Sequence, residues 1–173
     1  MMTRLEELIL FILDRAHKMG IANLSRFQLH KIIYMIQVFA IKYTGKEFVP
    51  SLAFIREERG PISGDVYEAI DSLVHKKYVV LDITKKDDYP YSRCGHKLGK
   101  TIPQASFGIG EMIFLDSVLS DLLPLPQKKL KELTYSTEPM IQIIKTEKGK
   151  IKKGLKLDLS LIQIDPDIVN QIR

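Results

Sequence analysis

Two capping boxes constrain this chain more than any other feature. Thr3 with Glu6, and Ser25 with Gln28, each pair a hydroxyl N-cap with a carboxylate or amide three residues on, so that each side chain can satisfy the other residue's backbone N–H. Behind the first box, Leu5, Leu8, Ile9, Ile12 and Ala16 recur at helical spacing, which predicts an amphipathic helix over 4–18 ended by Gly20. Behind the second, Leu29, Ile32, Ile33, Ile36 and Ala40 form an apolar stripe, Leu24 and Leu29 form a hydrophobic staple, and Gly45 is the expected stop. A chain that opens with two signalled amphipathic helices must build a helical core.

Weaker signals follow. The apolar and β-branched run 48–56 is expected to be extended, and Gly60-Pro61 reads as a helix-entry turn before a third helix capped by Ser63 and carrying Val66, Tyr67, Ile70, Leu73 and Val74 on one face. Segments 78–83 and 91–98 are strand candidates joined by the polar turn Lys85, Lys86, Asp87, Asp88 and Pro90, so helix is followed by a hairpin or wing. A helix over 111–123 is stopped by Pro124. Pro126 is placed at N1 of a helix reaching about Leu133, and Pro139 opens a short helix to Ile144 closed by Gly149. Leu155, Leu157, Leu159 and Leu161 then alternate with Lys156, Asp158 and Ser160, the period of a strand with one buried face. The expectation is one α+β domain over 1–173, mainly α-helical, with five to seven helices and a small antiparallel sheet. The sheet would come from the extended segment, the hairpin and the C-terminal strand, and the elements run in winged-helix-like helix-helix-helix-hairpin order.

Composition narrows the class. At 173 residues, 45% hydrophobic and 27% charged, the chain can bury a core unaided. A single cysteine, Cys94, allows no internal disulfide, and Glu6, Glu7 and Asp14 break up the N-terminal apolar run as no signal peptide would, so a cytoplasmic protein is expected. The most apolar stretch, 32–41, contains Gln37 between Lys31 and Lys42 and is too short to span a bilayer; no membrane is expected. The net charge is +5, with lysines crowded into the last third. Lys128, Lys129, Lys131, Lys150, Lys152 and Lys153 are the candidate contacts for nucleic acid or an acidic partner.

Nothing in the sequence announces catalysis. No nucleophile elbow surrounds Cys94 or any serine, and Cys94 with His96 makes only half of a structural zinc set. His17, His30 and His75 fall on three separate helices. Glu57, Glu58 and Asp65 alternate with Arg56 and Arg59 as a solvated ion-pair surface does, and Gly108-Ile109-Gly110 lacks the third glycine of a dinucleotide loop. The reading is a non-enzyme, with no catalytic residues, metal or cofactor. A winged-helix reader of DNA is the alternative. Against it, the third helix offers Asp65, Glu68 and Asp71, which phosphates would repel.

Leu29-His30-Lys31-Ile32-Ile33-Tyr34, with Gln37 beyond, resembles the Leu-x-Lys-Leu-x-Tyr helix that opens the Panacea domain, the SocA-like antitoxin and proteolytic-adaptor domain. Gly45-Lys46 resembles that family's glycine before a variable extended segment. The run Phe54 to Arg59 with Gly60-Pro61-Ile62 resembles its aromatic stretch ending in Tyr-Gly-Pro-Val, and Tyr67 stands at the place of the next helix's tyrosine. Leu133-Thr134-Tyr135 and Pro139-Met140 resemble its Thr-His and Pro-Trp signatures, with Tyr135 for His, Met140 for Trp, and Arg59 for the aromatic before Gly60. The motifs keep family order over 24–140, leaving the helix at 4–18 and the Lys-rich strand region 145–173 as extensions. The resemblance implies a module that neutralises a toxin encoded nearby by direct contact, or carries it to a protease. The expected partner-binding residues are Lys31, Tyr34, Arg56, Arg59, Gly60, Pro61 and Tyr67, although Leu29, Ile32, Ile33, Gly60 and Pro61 also suit plain core and turn positions.

Overall fold

The structure is a computed structural model that describes residues 2–82, 93–96, 101–103, 105–165 and 167. Among these, six helices and five short strands form a mainly helical α+β fold. They sort into two compact units, each built from two stretches of chain: Met1–His30 with Gly64–Pro124, and Lys31–Ser63 with Leu125–Arg173. No helix among the described residues is long and apolar enough to cross a membrane.

The first unit begins with α1 (Arg4–Lys18), where both halves of the expected box form. Thr3 Oγ1 accepts the Glu6 N–H, and the Glu6 carboxylate accepts the Thr3 N–H, each at 3.1 Å. Glu6 also receives Lys76 Nζ at 2.9 Å. Strand β1 (Asn23–Ser25) leads into α2 (Arg26–Thr44), whose first turn belongs to this unit. Gln28 Oε1 accepts the Ser25 N–H at 2.9 Å and Ser25 Oγ accepts the Gln28 N–H at 3.1 Å, the second box. Helix α3 (Gly64–His75) buries Val66, Ala69, Ile70 and Leu73, while Tyr67 and Val74 are half-buried.

The hairpin β4 (Val79–Asp82) and β5 (Arg93–His96) follows, and helix α4 (Ile109–Leu122) closes the unit against α1. The turn expected at Lys85 to Pro90 lies outside the described residues. The sheet is antiparallel in the order β1-β5-β4, with Leu24 opposite Cys94 and Cys94 opposite Leu81. Strand β1 was not expected, because three residues overlapping a helix cap carry no periodicity, and what makes them a strand is β5, some seventy residues later.

The second unit holds the rest of α2, a two-stranded sheet of β2 (Ile55–Glu57) and β3 (Gly60–Ile62), and helices α5 (Gln127–Tyr135) and α6 (Glu138–Thr146). Three expectations change here. The run 48–56 is not one extended segment: both amide atoms of buried Gln37 bond the backbone of Val49 at 2.8 Å, Ser51 takes a positive φ of 63°, and only 55–57 become strand. Gly60-Pro61 is not a helix-entry turn but the start of β3, with Arg56 opposite Pro61, a place where the missing proline N–H costs nothing at a sheet edge. The C-terminal strand shrinks to one bridge, Lys156 opposite Ile55, flanked by Arg56 N–H to Leu155 O at 2.8 Å and Leu157 N–H to Phe54 O at 2.9 Å.

Asp158 then caps a 3-10 turn (Leu159–Leu161) by accepting the Ser160 N–H, which ends the extended conformation. Leu157 and Leu159 are buried as the alternation required, but Leu155 is exposed. Pro126 is the N-cap of α5 rather than its first residue, and Pro139 sits in the first turn of α6.

Candidate functional site

The motif residues of the second unit gather at the β2–β3 hairpin, whose two-residue turn is Glu58-Arg59. Gly60 follows with φ of +118°, a conformation that side chains disfavour. A Cβ there would stand 3.4 Å from Tyr135 Cε1, 3.6 Å from Lys31 Cε and 3.6 Å from Thr134 Oγ1. A lysine from α2 and a threonine and tyrosine from the end of α5 thus converge on the strand, and it is the positive φ, not a lack of space, that calls for glycine here.

Arg56, on β2, braces this hairpin from behind. Its guanidinium grips Glu147 through Nε–Oε2 at 3.2 Å and Nη2–Oε1 at 3.1 Å. Nη1 donates to the Tyr135 hydroxyl at 3.0 Å and to the Glu57 carbonyl. Its side chain is only 4% exposed and that of Glu147 10%, so this is a nearly dry bidentate pair, in contrast to the expected solvated surface. The Arg56 guanidinium, with help from the Lys152 N–H, holds the Glu147 carboxyl below the usual carboxylate range. Two cations approach the Tyr135 ring, with Arg56 Cζ 5.1 Å and Lys131 Nζ 5.3 Å from its centroid.

Lys31 is the chemically unusual member. It is 5% exposed, and burial, then the like charges of Lys131 and Arg59, bring its ammonium pKa down to about 8. Arg59 is exposed and Lys131 half-buried. Tyr34 is fully buried on α2: its hydroxyl is 2.7 Å from Thr137 Oγ1 and its ring meets Phe54 edge-on at 5.1 Å. Pro61 is buried within β3. Tyr67 belongs to the other unit, half-buried on α3 with its ring 4.3 Å from that of His30. Of the seven residues expected to bind a partner, Arg59 alone is exposed and Tyr67 half-buried; the other five are buried.

Lys128, Lys129, Lys150, Lys152 and Lys153 are all exposed. Lys129 pairs with Glu132 at 3.5 Å and Lys153 with Glu58 at 3.3 Å. Charge is divided unevenly: the second unit holds fifteen Lys and Arg against nine Asp and Glu, the first eleven against twelve. Asp65, Glu68 and Asp71 are exposed on α3, as expected. No group of three His, Cys, Asp or Glu among the described residues fits a metal ion, and Cys94 is buried in β5.

The expected binding residues leave out Thr134 and Tyr135, although the family-like Thr-Tyr pair contains them, and Glu147, which no local motif marks. Comparison with family models, curated proteins and solved structures gives no match for this chain.

Proposed function

We propose that this chain is a non-enzymatic binding module that engages a protein partner through the β2–β3 hairpin and the adjoining end of α5, in the manner of a Panacea-type antitoxin or adaptor. The observation that supports it best is preorganisation. The part-buried Arg56–Glu147–Tyr135 network braces the hairpin, which lowers the ordering cost of presenting Arg59 and Lys131 to a partner. The positive excess of the chain lies in this same unit.

The test is co-expression with the product of the adjacent gene, followed by affinity purification and lysine cross-linking. A stoichiometric complex cross-linked at Lys131, together with relief of growth inhibition caused by the neighbour, is the expected result. Recovery of nucleic acid alone, with no protein complex, would overturn it. A winged-helix regulator is the second reading, favoured by the β1-β5-β4 sheet packed with α1 and α3; retention on duplex DNA that falls steeply with salt would support it.

A further inference from the structure

Helix α1 turns one face toward a cleft of about 220 Å³ in the first unit. Glu7 and Asp14 stand two helical turns apart on that face, about 10 Å along the axis, and Leu10 and Phe11 lie between them at the spacings that share a side of a helix. Leu10 and Phe11, 1% and 8% exposed, are the most buried residues of the lining and make its floor. Met112 of α4 and Ile102 add apolar walls.

The charges around the cleft decide what can enter it. Arg15 is held by two carboxylates, Asp14 at 2.9 Å and Asp116 at 2.6 Å, and Asp14 also takes Lys18 at 3.0 Å. In that group two cations cancel two acids. Glu7 differs, because its carboxylate is met by neutral donors: Oε2 accepts the Ser106 N–H at 3.4 Å and the Ser106 hydroxyl at 2.6 Å, and Oε1 accepts no bond among the described residues. The partial positive end of α1 offsets only part of that charge. An apolar floor with one uncompensated carboxylate at its end favours a ligand with an apolar body and one cationic head, and repels an anion.

Size narrows the class further. An apolar cavity of roughly 150 Å³ admits a benzene ring, and each further water-sized piece needs about 30 Å³, so the cleft has room for one such ring and roughly two or three more heavy atoms. A methionine wall suits a ring, since a thioether packs well against an aromatic edge. We propose that the cleft between α1 and α4 binds a small arylalkyl ammonium compound, its ring on Leu10, Phe11 and Met112 and its ammonium on the Glu7 carboxylate. The site uses none of the hairpin residues and stands independently of the binding-module reading.

The experiment titrates phenethylammonium into the full chain carrying isotope-labelled methionine methyl groups and follows them by NMR. Met2 and Met112, which both line the cleft, are expected to shift together with a dissociation constant of about 1 mM or tighter, while Met19, Met35 and Met140 stay in place. Phenylacetate, of similar size and opposite charge, should bind at least about tenfold more weakly. Glu7→Gln keeps the shape and the Ser106 bonds but removes the charge, and should lower amine affinity about tenfold, equivalent to roughly 1.4 kcal/mol. Glu68→Gln, at an exposed acid on α3, should leave it within about twofold. Ala105→Phe should fill the cleft and abolish binding; Glu7 is only half-buried, so its variant tests the idea even if Ala105→Phe fails to fold.

No shift of Met2 and Met112 up to about 10 mM amine, equal affinity for phenylacetate, or equal losses from Glu7→Gln and Glu68→Gln would each overturn the proposal. Shifts confined to Met35 and Met140 would place the amine in the other unit and overturn it as well.

Discussion

The buried contact between Tyr34 and Thr137 allows a sharp test of how the second unit is held together. Thr137 Oγ1 donates to the Thr134 carbonyl at 2.7 Å, so in the 2.7 Å contact with Tyr34 it is the tyrosine that donates. Burial pushes the Tyr34 pKa well above its ordinary value, and the hydroxyl keeps its proton throughout the usable pH range. The two truncations are therefore unequal. Tyr34→Phe removes one donor, leaves Thr137 bonded to Thr134, and should cost about 1 kcal/mol.

Thr137→Val conserves volume but strands the Tyr34 hydroxyl in a fully buried position, and the desolvation of an unpaired donor raises the cost to about 2–3 kcal/mol. The Thr134 carbonyl is not orphaned by this change, because it still accepts the Thr137 N–H at 3.3 Å. In the double variant the stranded hydroxyl is gone, so the total should be about 2 kcal/mol, less than the two single costs together and with a coupling of about 1 kcal/mol or more. Urea denaturation of the four proteins with a shared slope measures this directly. Additive costs, or a Thr137→Val variant no worse than Tyr34→Phe, would refute the assigned direction of the bond.

Two further perturbations probe the site itself. Glu147→Ala leaves the Arg56 guanidinium buried with only the Tyr135 hydroxyl and the Glu57 carbonyl, and should cost about 3 kcal/mol, nearly independent of salt, in chemical denaturation; a cost that vanishes in high salt would place the pair in solvent. Lys31 has a folded-state pKa lowered to about 8 from an ordinary value near 10.5, so between those limits the unfolded chain holds more protons than the folded one. Stability must then rise with pH across that window, by at most about 1.4 kcal/mol per pH unit, relative to Lys31→Met; a flat difference between the two proteins would show the amine to be solvated.

The sequence made the local rules legible and left the non-local ones hidden. Both capping boxes form with the residues expected, because a box is written in four consecutive positions and needs no partner elsewhere. Gly20, Gly45 and Gly149 each take positive φ near helix ends for the same reason. Strand β1, the pairing of β2 with β3 and the single bridge at Lys156 depend on segments that meet only after folding, and short strands lack the length for periodicity to reveal them. At the hairpin, the family resemblance singles out Lys31, Arg56 and Gly60, which the structure brings around Tyr135. What it missed was burial: Arg56 reads as one of five alternating surface charges, whereas the structure sets Glu147, ninety-one residues away, opposite it.

Element order and surface chemistry point in different directions in the first unit, and the chemistry is the better guide to function. The elements run α1, β1, α2, α3, β4, β5 with sheet order β1-β5-β4, the helix-helix-helix-hairpin order on which the DNA-reader alternative rests. A reader needs its third helix to present donors and positive charge to base edges and phosphates. Helix α3 instead exposes Asp65, Glu68 and Asp71 within two turns, and Asp71 lies 3.5 Å from Arg26, drawing a neighbouring cation into an internal pair. The unit as a whole carries no positive excess. Because each carboxylate on a groove-facing helix opposes the same phosphate field that must supply most of the affinity, order alone cannot make this helix a DNA reader. The positive excess of the chain sits in the other unit.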